Sequence, residues 1–410
     1  MSWTRLTLQV RTPLFGGDDP TRDDGAPARV PSIRGALRFW FRAVAAGHGV
    51  SDLAELWKDE EAVFGSTHTP SAIGLRVPKQ PTASGRGSKP NWTTTEKRGF
   101  DGAQYLLGQG LWDYETGLRR GYVERGEQFD LDIRFSRDKQ VSARFMVALW
   151  AWLTYGGLGA RTRRGFGQLV CTAVRGDLPC GWTPADLRAP QDANVWQALG
   201  RCAVPGSLLG RATLGWGELL PEDAPVNDLP ELPALAPRWW AGFLLDDEAD
   251  SLGAVLHMAG LRWRRFRAAD GSDYLEPERK PGPSTRSPEW NKVIHGTGVR
   301  YPIAALGLPV GYFSRSQGHN FQATVTPHLG EKTLRRASPI WLRPVLLRDG
   351  GWGVFTQVFI ARLLPSKTEL RITGGVKRTL PLPPPDDVED TWGRWIAGDP
   401  RLPDDYDFRG

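Results

Sequence analysis

Cysteine is nearly absent, with Cys171, Cys180 and Cys202 the only three in 410 residues and no CxxC pair among them. This excludes a disulfide framework and a zinc ribbon, and it fits a reducing compartment. The six histidines (His48, His68, His257, His295, His319, His328) never fall at HxxxH or HExxH spacing, so no metal site and no cofactor is expected. No run of about 18 apolar residues, the length a bilayer-spanning helix needs, occurs in the chain. No charged start followed by an apolar stretch marks a secretion signal. A soluble cytoplasmic protein without a membrane partner is therefore expected.

With 40% apolar and 24% charged side chains, the chain has the composition of globular proteins and the length of about two or three domains. The formal net charge is +6, and it is unevenly spread. Residues 384–410 carry eight acids against Arg394, Arg401 and Arg409, a net of −5 that leaves the body near +11. A basic body suits a phosphate backbone, which draws cations by counterion release. The 18 tryptophans are expected in the core and at interfaces.

The most unusual stretch is 156–169, with five glycines and the arginines Arg161, Arg163 and Arg164. Glycines allow positive φ and close backbone approach, and guanidiniums match phosphate oxygens, so the spacing predicts a loop that grips a polyanion. It follows a helical pattern over Val141 to Tyr155 and precedes a strand at 168–174. Rossmann and Walker loops have the opposite order, strand first and helix second.

Upstream, alternation over the first eleven residues predicts a strand. Ser32 stands where an N-cap would open a helix. On that helix Arg34, Arg38 and Arg42 fall within about 80 degrees of one another, a basic edge separate from the apolar face. Val63 to Ser66 reads as the end of a linker, Ala72 to Val77 as a strand, and 79–120 as a surface excursion of basic residues with interleaved aromatics. A further strand spans Phe129 to Phe135. The order β-α-β-β-α-β is the ferredoxin-like plan.

Residues 176–237 read as a connector with a helix near 191–199. Arg238 to Phe266 has a helical pattern ending in an arginine-aromatic cluster that includes Arg262 and Arg265. Strands are expected at 302–311, 320–325, 340–347 and 353–364, with Asp349-Gly350 a hairpin turn between the last two. The expected fold is α+β: a domain over 1–175 with its insertion, a connector, a second α+β domain over 238–380, and an acidic tail from 381.

Four motifs, namely Thr12-Pro13-Leu14-Phe15, Pro31 to Trp40, Phe64-Gly65-Ser66 and Gly156 to Gly167, stand in an order that resembles the RAMP proteins forming the first subunit of type III-B CRISPR (Cmr) effector complexes. Arg335 to Pro339 and Leu306 to Pro309 are similar to the second half of that family. The resemblance implies two tandem ferredoxin-like (RRM-like, RAMP) domains with long loop insertions. It also implies a non-catalytic subunit that holds the 3′ region of the CRISPR RNA, aids capture of target RNA in antiviral defence, and contacts other Cmr subunits. Carried over by motif, the residues expected to meet RNA are Ser32, Arg34, Arg38, Gly159, Arg161, Arg163, Arg164 and Gly165. Charge placement adds Arg42, Arg262 and Arg265. Two alternatives stand beside this reading: a RAMP-type endoribonuclease processing precursor CRISPR RNA, for which His48 would be the base, and a purely architectural capping subunit.

Overall fold

The computed structural model describes residues 2–16, 27–83, 86–93, 101–108, 110–113, 115–201, 216–221, 229–267, 293, 296, 298–314, 321–374 and 376–397. The first half runs β1 (Thr4–Val10), α1 (Val30–Gly47), α2 (Leu53–Phe64), β2 (Gly74–Arg76), α3 (Gly102–Leu107), β3 (Trp112–Asp113), β4 (Gly117–Leu118), β5 (Gln128–Arg134), α4 (Lys139–Tyr155) and β6 (Leu169–Arg175). β1 buries Thr4, Leu6, Leu8 and Val10 and turns Arg5, Thr7 and Gln9 outward, as the alternation predicts. The antiparallel sheet has the order β2-β5-β1-β6, the strand order of the βαββαβ plan. Asp132 of β5, fully buried, is held by Arg5 at 2.6 Å and Arg76 at 2.8 Å.

Several local expectations are corrected. Ser32 is not the N-cap of α1; Arg29 is, without a side-chain cap bond, and Pro31 occupies the first turn, where its fixed φ suits a helix and its missing N–H costs nothing. The stretch ending at Phe64 is a helix and not a linker: Asp52 caps α2 by accepting from the Ala54 and Glu55 amides, and Gly65 at φ 72° stops it. The 79–120 excursion is core. Its Trp92, Leu106, Leu107, Trp112 and Leu118 are buried together with residues of the second half. α3 crosses the helix Leu252–Arg267 of the second half so closely that a Cβ on Gly260 would lie 2.0 Å from the Gly102 carbonyl oxygen.

The second half runs α5 (Ala193–Gly200), β7 (Trp240–Ala249), α6 (Leu252–Arg267), β8 (Val310–Ser314), β9 (Phe321–Leu329), β10 (Lys332–Thr333), β11 (Ile340–Leu346), β12 (Trp352–Phe359), β13 (Glu369–Thr373), β14 (Arg378–Pro381) and α7 (Pro385–Ala397). Within the expected helix over 238–266, Trp240–Ala249 is a strand, because β7 pairs with β12. Tertiary pairing decides a short apolar run that periodicity leaves ambiguous. Residues 302–306 form a 3-10 turn ahead of β8, and β13 and β14 are strands that the sequence reading missed. The Asp349-Gly350 turn joins β11 to β12 as expected, with Gly350 at φ 91°.

β7, β12 and β11 form one antiparallel sheet in the relative order that β1, β5 and β2 show in the first half. A second sheet is built from β8, β9, β10, β13 and β14. The acidic segment after 384 begins as a core helix: Trp392 and Trp395 of α7 are buried, and the Trp395 ring meets Trp263 of α6 edge-on at 5.5 Å. Between the halves lies α4, buried on nearly every side from Ser142 to Tyr155. A helix apolar all round must be covered all round. α4 packs on α1 and the first sheet, and its last residue, Tyr155, meets Trp240 and Phe355 of the second half. Trp341 and Phe359 lie against Phe39 and Trp40 of α1 in the same continuous core.

Candidate nucleic-acid interface

The glycine-arginine loop leaves the end of α4 at this seam. The Ala160 amide donates to the Phe15 carbonyl at 2.8 Å and the Gly167 amide to the Pro13 carbonyl at 2.9 Å, which ties the loop to the segment after β1. Gly159, at φ 90°, passes so near that segment that a Cβ would sit 2.2 Å from the Phe15 oxygen. Gly165, at φ 91°, faces Pro344 and Leu256 of the second half. These two glycines therefore serve close packing of the chain on itself.

The three arginines fan out along the seam. Arg161, exposed as a whole, takes a left-handed φ of 63° and donates from Nε to the Leu107 carbonyl at 2.8 Å, with its guanidinium beside Gly108 and Gly110. Arg163 donates to the Ser338 carbonyl and lies over two rings, 4.7 Å from the centroid of Trp341 and 5.3 Å from that of Phe39. Arg164 sits 3.8 Å over Trp263, and its Nη1 is buried without a hydrogen-bond partner among the described residues. Trp341 and Trp263 belong to the second half, so the loop is also the bracket between the halves.

Charge is not compensated here. Burial, with repulsion from Arg336, pushes Arg163 down to about 10, and burial with repulsion from Arg267 pushes Arg164 well below its ordinary value. Burial alone lowers Arg161 and Arg336. Among the described residues, none of Arg161, Arg163, Arg164, Arg267 and Arg336 has a carboxylate within 4.0 Å. Arg267 is instead favoured as a cation by Tyr105, Tyr312 and Tyr301. A half-buried group of like charges repels itself, and an anion relieves that repulsion.

The helix edge behaves differently. Arg42 makes a paired contact with Glu60, Nη2 to Oε1 at 2.8 Å, and Arg38 approaches the same carboxylate at 3.4 Å while donating to the Gly65 carbonyl. Glu60 is 3% exposed, and its one carboxylate ties both guanidiniums of α1 to α2. Ser32 and Arg34 are half-buried in the first turns of α1, and the Arg34 Nε is buried without a hydrogen-bond partner among the described residues. Arg262 is buried within α6, and the Arg265 side chain lies outside the described residues. The structure thus gathers the loop arginines with Arg267 and Arg336; Arg262 is buried, while Arg42 is exposed and Arg38 half-buried with their guanidiniums on Glu60. Arg336 was legible as part of a motif, but nothing local announced that it meets Arg163.

His48 caps the C-terminal end of α1, is 7% exposed, and hydrogen-bonds through Nδ1 to the Gly217 carbonyl at 2.9 Å. Burial lowers its pKa. Among the described residues no group of His, Cys, Asp and Glu could hold a metal, and no helix is long and apolar enough to cross a membrane.

Residues 7–170 match the family described as the RAMP superfamily. The chain is 28% identical over 183 residues to the CRISPR system Cmr subunit Cmr1-2 of Pyrococcus furiosus, which covers 41% of this chain and 94% of that protein. With subunit Cmr1-1 of the same organism it is 31% identical over 142 residues, 34% of this chain and 39% of that one. In fold it is similar to the apo crystal structure of Cmr1 from Pyrococcus furiosus, with a TM-score of 0.52 and 20% identity over 89% of this chain and 90% of that chain. The mixed helix and antiparallel-sheet architecture agrees with that fold. Residues 7–170 are a RAMP superfamily domain, and the chain is homologous to Cmr1.

Proposed function

From this homology we propose that the chain is a non-catalytic, RNA-binding subunit of a type III-B CRISPR effector complex in the cytoplasm, one that holds the 3′ region of the CRISPR RNA and aids capture of target RNA. One observation carries the reading: Arg161, Arg163, Arg164, Arg267 and Arg336 converge on the seam with no carboxylate within 4.0 Å among the described residues. Such a crevice positions a phosphate backbone, while base pairing between the RNAs reads sequence. Two tandem ferredoxin-like halves are part of the proposal. Their support is the shared relative order of β7, β12 and β11 with β1, β5 and β2. Against the endoribonuclease alternative stands His48, which is buried and hydrogen-bonded through Nδ1 to the Gly217 carbonyl. The architectural reading draws on Arg163 holding Ser338 across the seam.

The test is binding of a short single-stranded RNA to the chain carrying Arg161→Gln, Arg163→Gln and Arg164→Gln, measured across salt concentrations after unfolding curves show an intact fold. Loss of three phosphate contacts should weaken binding at least tenfold and reduce the logarithmic salt slope by about 2. Affinity and slope equal to wild type would leave the architectural reading.

A further inference from the structure

We infer that Arg163 and Arg336, brought together from opposite halves of the chain, form a binding site for one phosphate group of an RNA backbone. The inference rests on the RNA-binding reading and narrows it to a single anion position that joins both halves.

Arg336 is held rigidly. Its amide donates to the Leu308 carbonyl at 3.0 Å, and the Leu308 amide donates back to the Arg336 carbonyl at 2.7 Å. Its Nε and Nη2 atoms are buried and make no hydrogen bond among the described residues. Across the seam, Arg163 has one nitrogen on the Ser338 carbonyl and its planar face over Trp341, which leaves the rest of its donor fork unused. The indole Nε1 of Trp341 is likewise buried without an acceptor among the described residues. Arg163 lies against Trp341 and reaches the carbonyl of Ser338, two residues beyond Arg336, so three side chains of one neighbourhood offer only donors.

Folding alone does not favour such a group. Each buried donor without a partner is destabilising, and two desolvated like charges add repulsion. A phosphate oxyanion answers both defects, since it is negative, accepts from several donors, and fits the guanidinium fork. Arg163 and Arg336 are each only half-buried, so the pair opens to the surface. On α1, one turn before the Phe39 ring that lies under Arg163, Gly35 is exposed and a Cβ there would meet no atom within 4 Å.

The experiment has two arms on the full chain. Thermal unfolding is followed in inorganic phosphate and in chloride at matched ionic strength, for wild type and Arg336→Gln. Short single-stranded RNA is then titrated into the same proteins over a salt series. Phosphate should raise the Tm of wild type and leave that of Arg336→Gln unmoved, and the variant should be no less stable than wild type in chloride. It should also bind RNA about tenfold more weakly, with the salt slope reduced by about 0.7 for one lost contact. Trp341→Phe, which keeps the ring and removes the N–H, should retain part of the phosphate response.

A phosphate response that persists in Arg336→Gln overturns the site. A response lost in Arg336→Gln while its RNA affinity and slope match wild type identifies a free-anion site, and it too overturns the inference. If the triple loop variant loses RNA and Arg336→Gln does not, the RNA reading stands and this site falls. If wild type binds no RNA, the reading itself fails.

Discussion

The guanidinium of Arg343, on β11, donates to the Gly156 carbonyl at 2.6 Å, and its second nitrogen donates to the Leu153 carbonyl at 3.0 Å. A residue of the second half thereby caps the last turn of α4 in the first, where carbonyls lack helical partners and a cation is favoured. Burial, aided by repulsion from Arg11, pushes Arg343 down to about 9, yet the carbonyls hold it in place. The loop arginines begin only a few residues beyond this cap, so their positions depend on it.

Arg343→Met should therefore cost about 3 kcal/mol, since it strips two buried carbonyls of a charged donor. Arg343→Lys should recover little, because a single ammonium cannot reproduce the fork. Urea unfolding of the three proteins checks this; a Lys variant as stable as wild type would refute the fork argument.

Trp395 is fully buried and donates from Nε1 to the Thr356 hydroxyl at 2.8 Å. Trp395→Ala should destabilise the chain by about 3–5 kcal/mol. A solvated acidic tail would instead predict a change within about 0.5 kcal/mol, so one denaturation curve separates the two descriptions of this segment.

His48 bears on pH dependence. Its folded pKa is lowered, chiefly by burial, and that of His257 is lowered in the same way against the opposing pull of Asp101. As pH falls through the unfolded value near 6.5, the unfolded chain takes up these protons first, so stability present above that pH is lost below it. Each group can contribute a slope of at most about 1.4 kcal/mol per pH unit. His48→Gln should flatten the fall in the urea midpoint between pH 7 and pH 5.5, and an unchanged fall would remove His48 from the account.

Arg42 distinguishes a basic edge from a binding edge. Since Glu60 already engages it, Arg42→Gln should lower stability by about 1 kcal/mol and leave the salt slope of RNA binding at the wild-type value. A slope reduced by about 0.7 would show that Arg42 touches phosphate.

Much of the first half could be read along the chain, for local reasons. Alternation fixes which face of β1 is buried, the apolar spacing of α1 and α4 fixes their length, and Asp349-Gly350 fixes a turn, because each signal lies within a few residues. The arginine-rich loop was legible as a concentration of charge for the same reason.

What a pattern cannot carry is the identity of a distant neighbour. The sequence by itself determined that residues 156–169 would form a basic, glycine-rich turn between a helix and a strand. Only the tertiary structure decided that Gly159 and Gly165 serve close packing, that the single carboxylate of Glu60 engages both Arg38 and Arg42, and that Arg163 reaches Ser338, two residues beyond Arg336. It also turned the aromatic insertion and the acidic helix inward, because burial of Trp92, Trp112, Trp392 and Trp395 against the second half outweighs the polar residues around them. Local charge and spacing are written in the chain, whereas desolvation and pairing depend on what folding brings alongside.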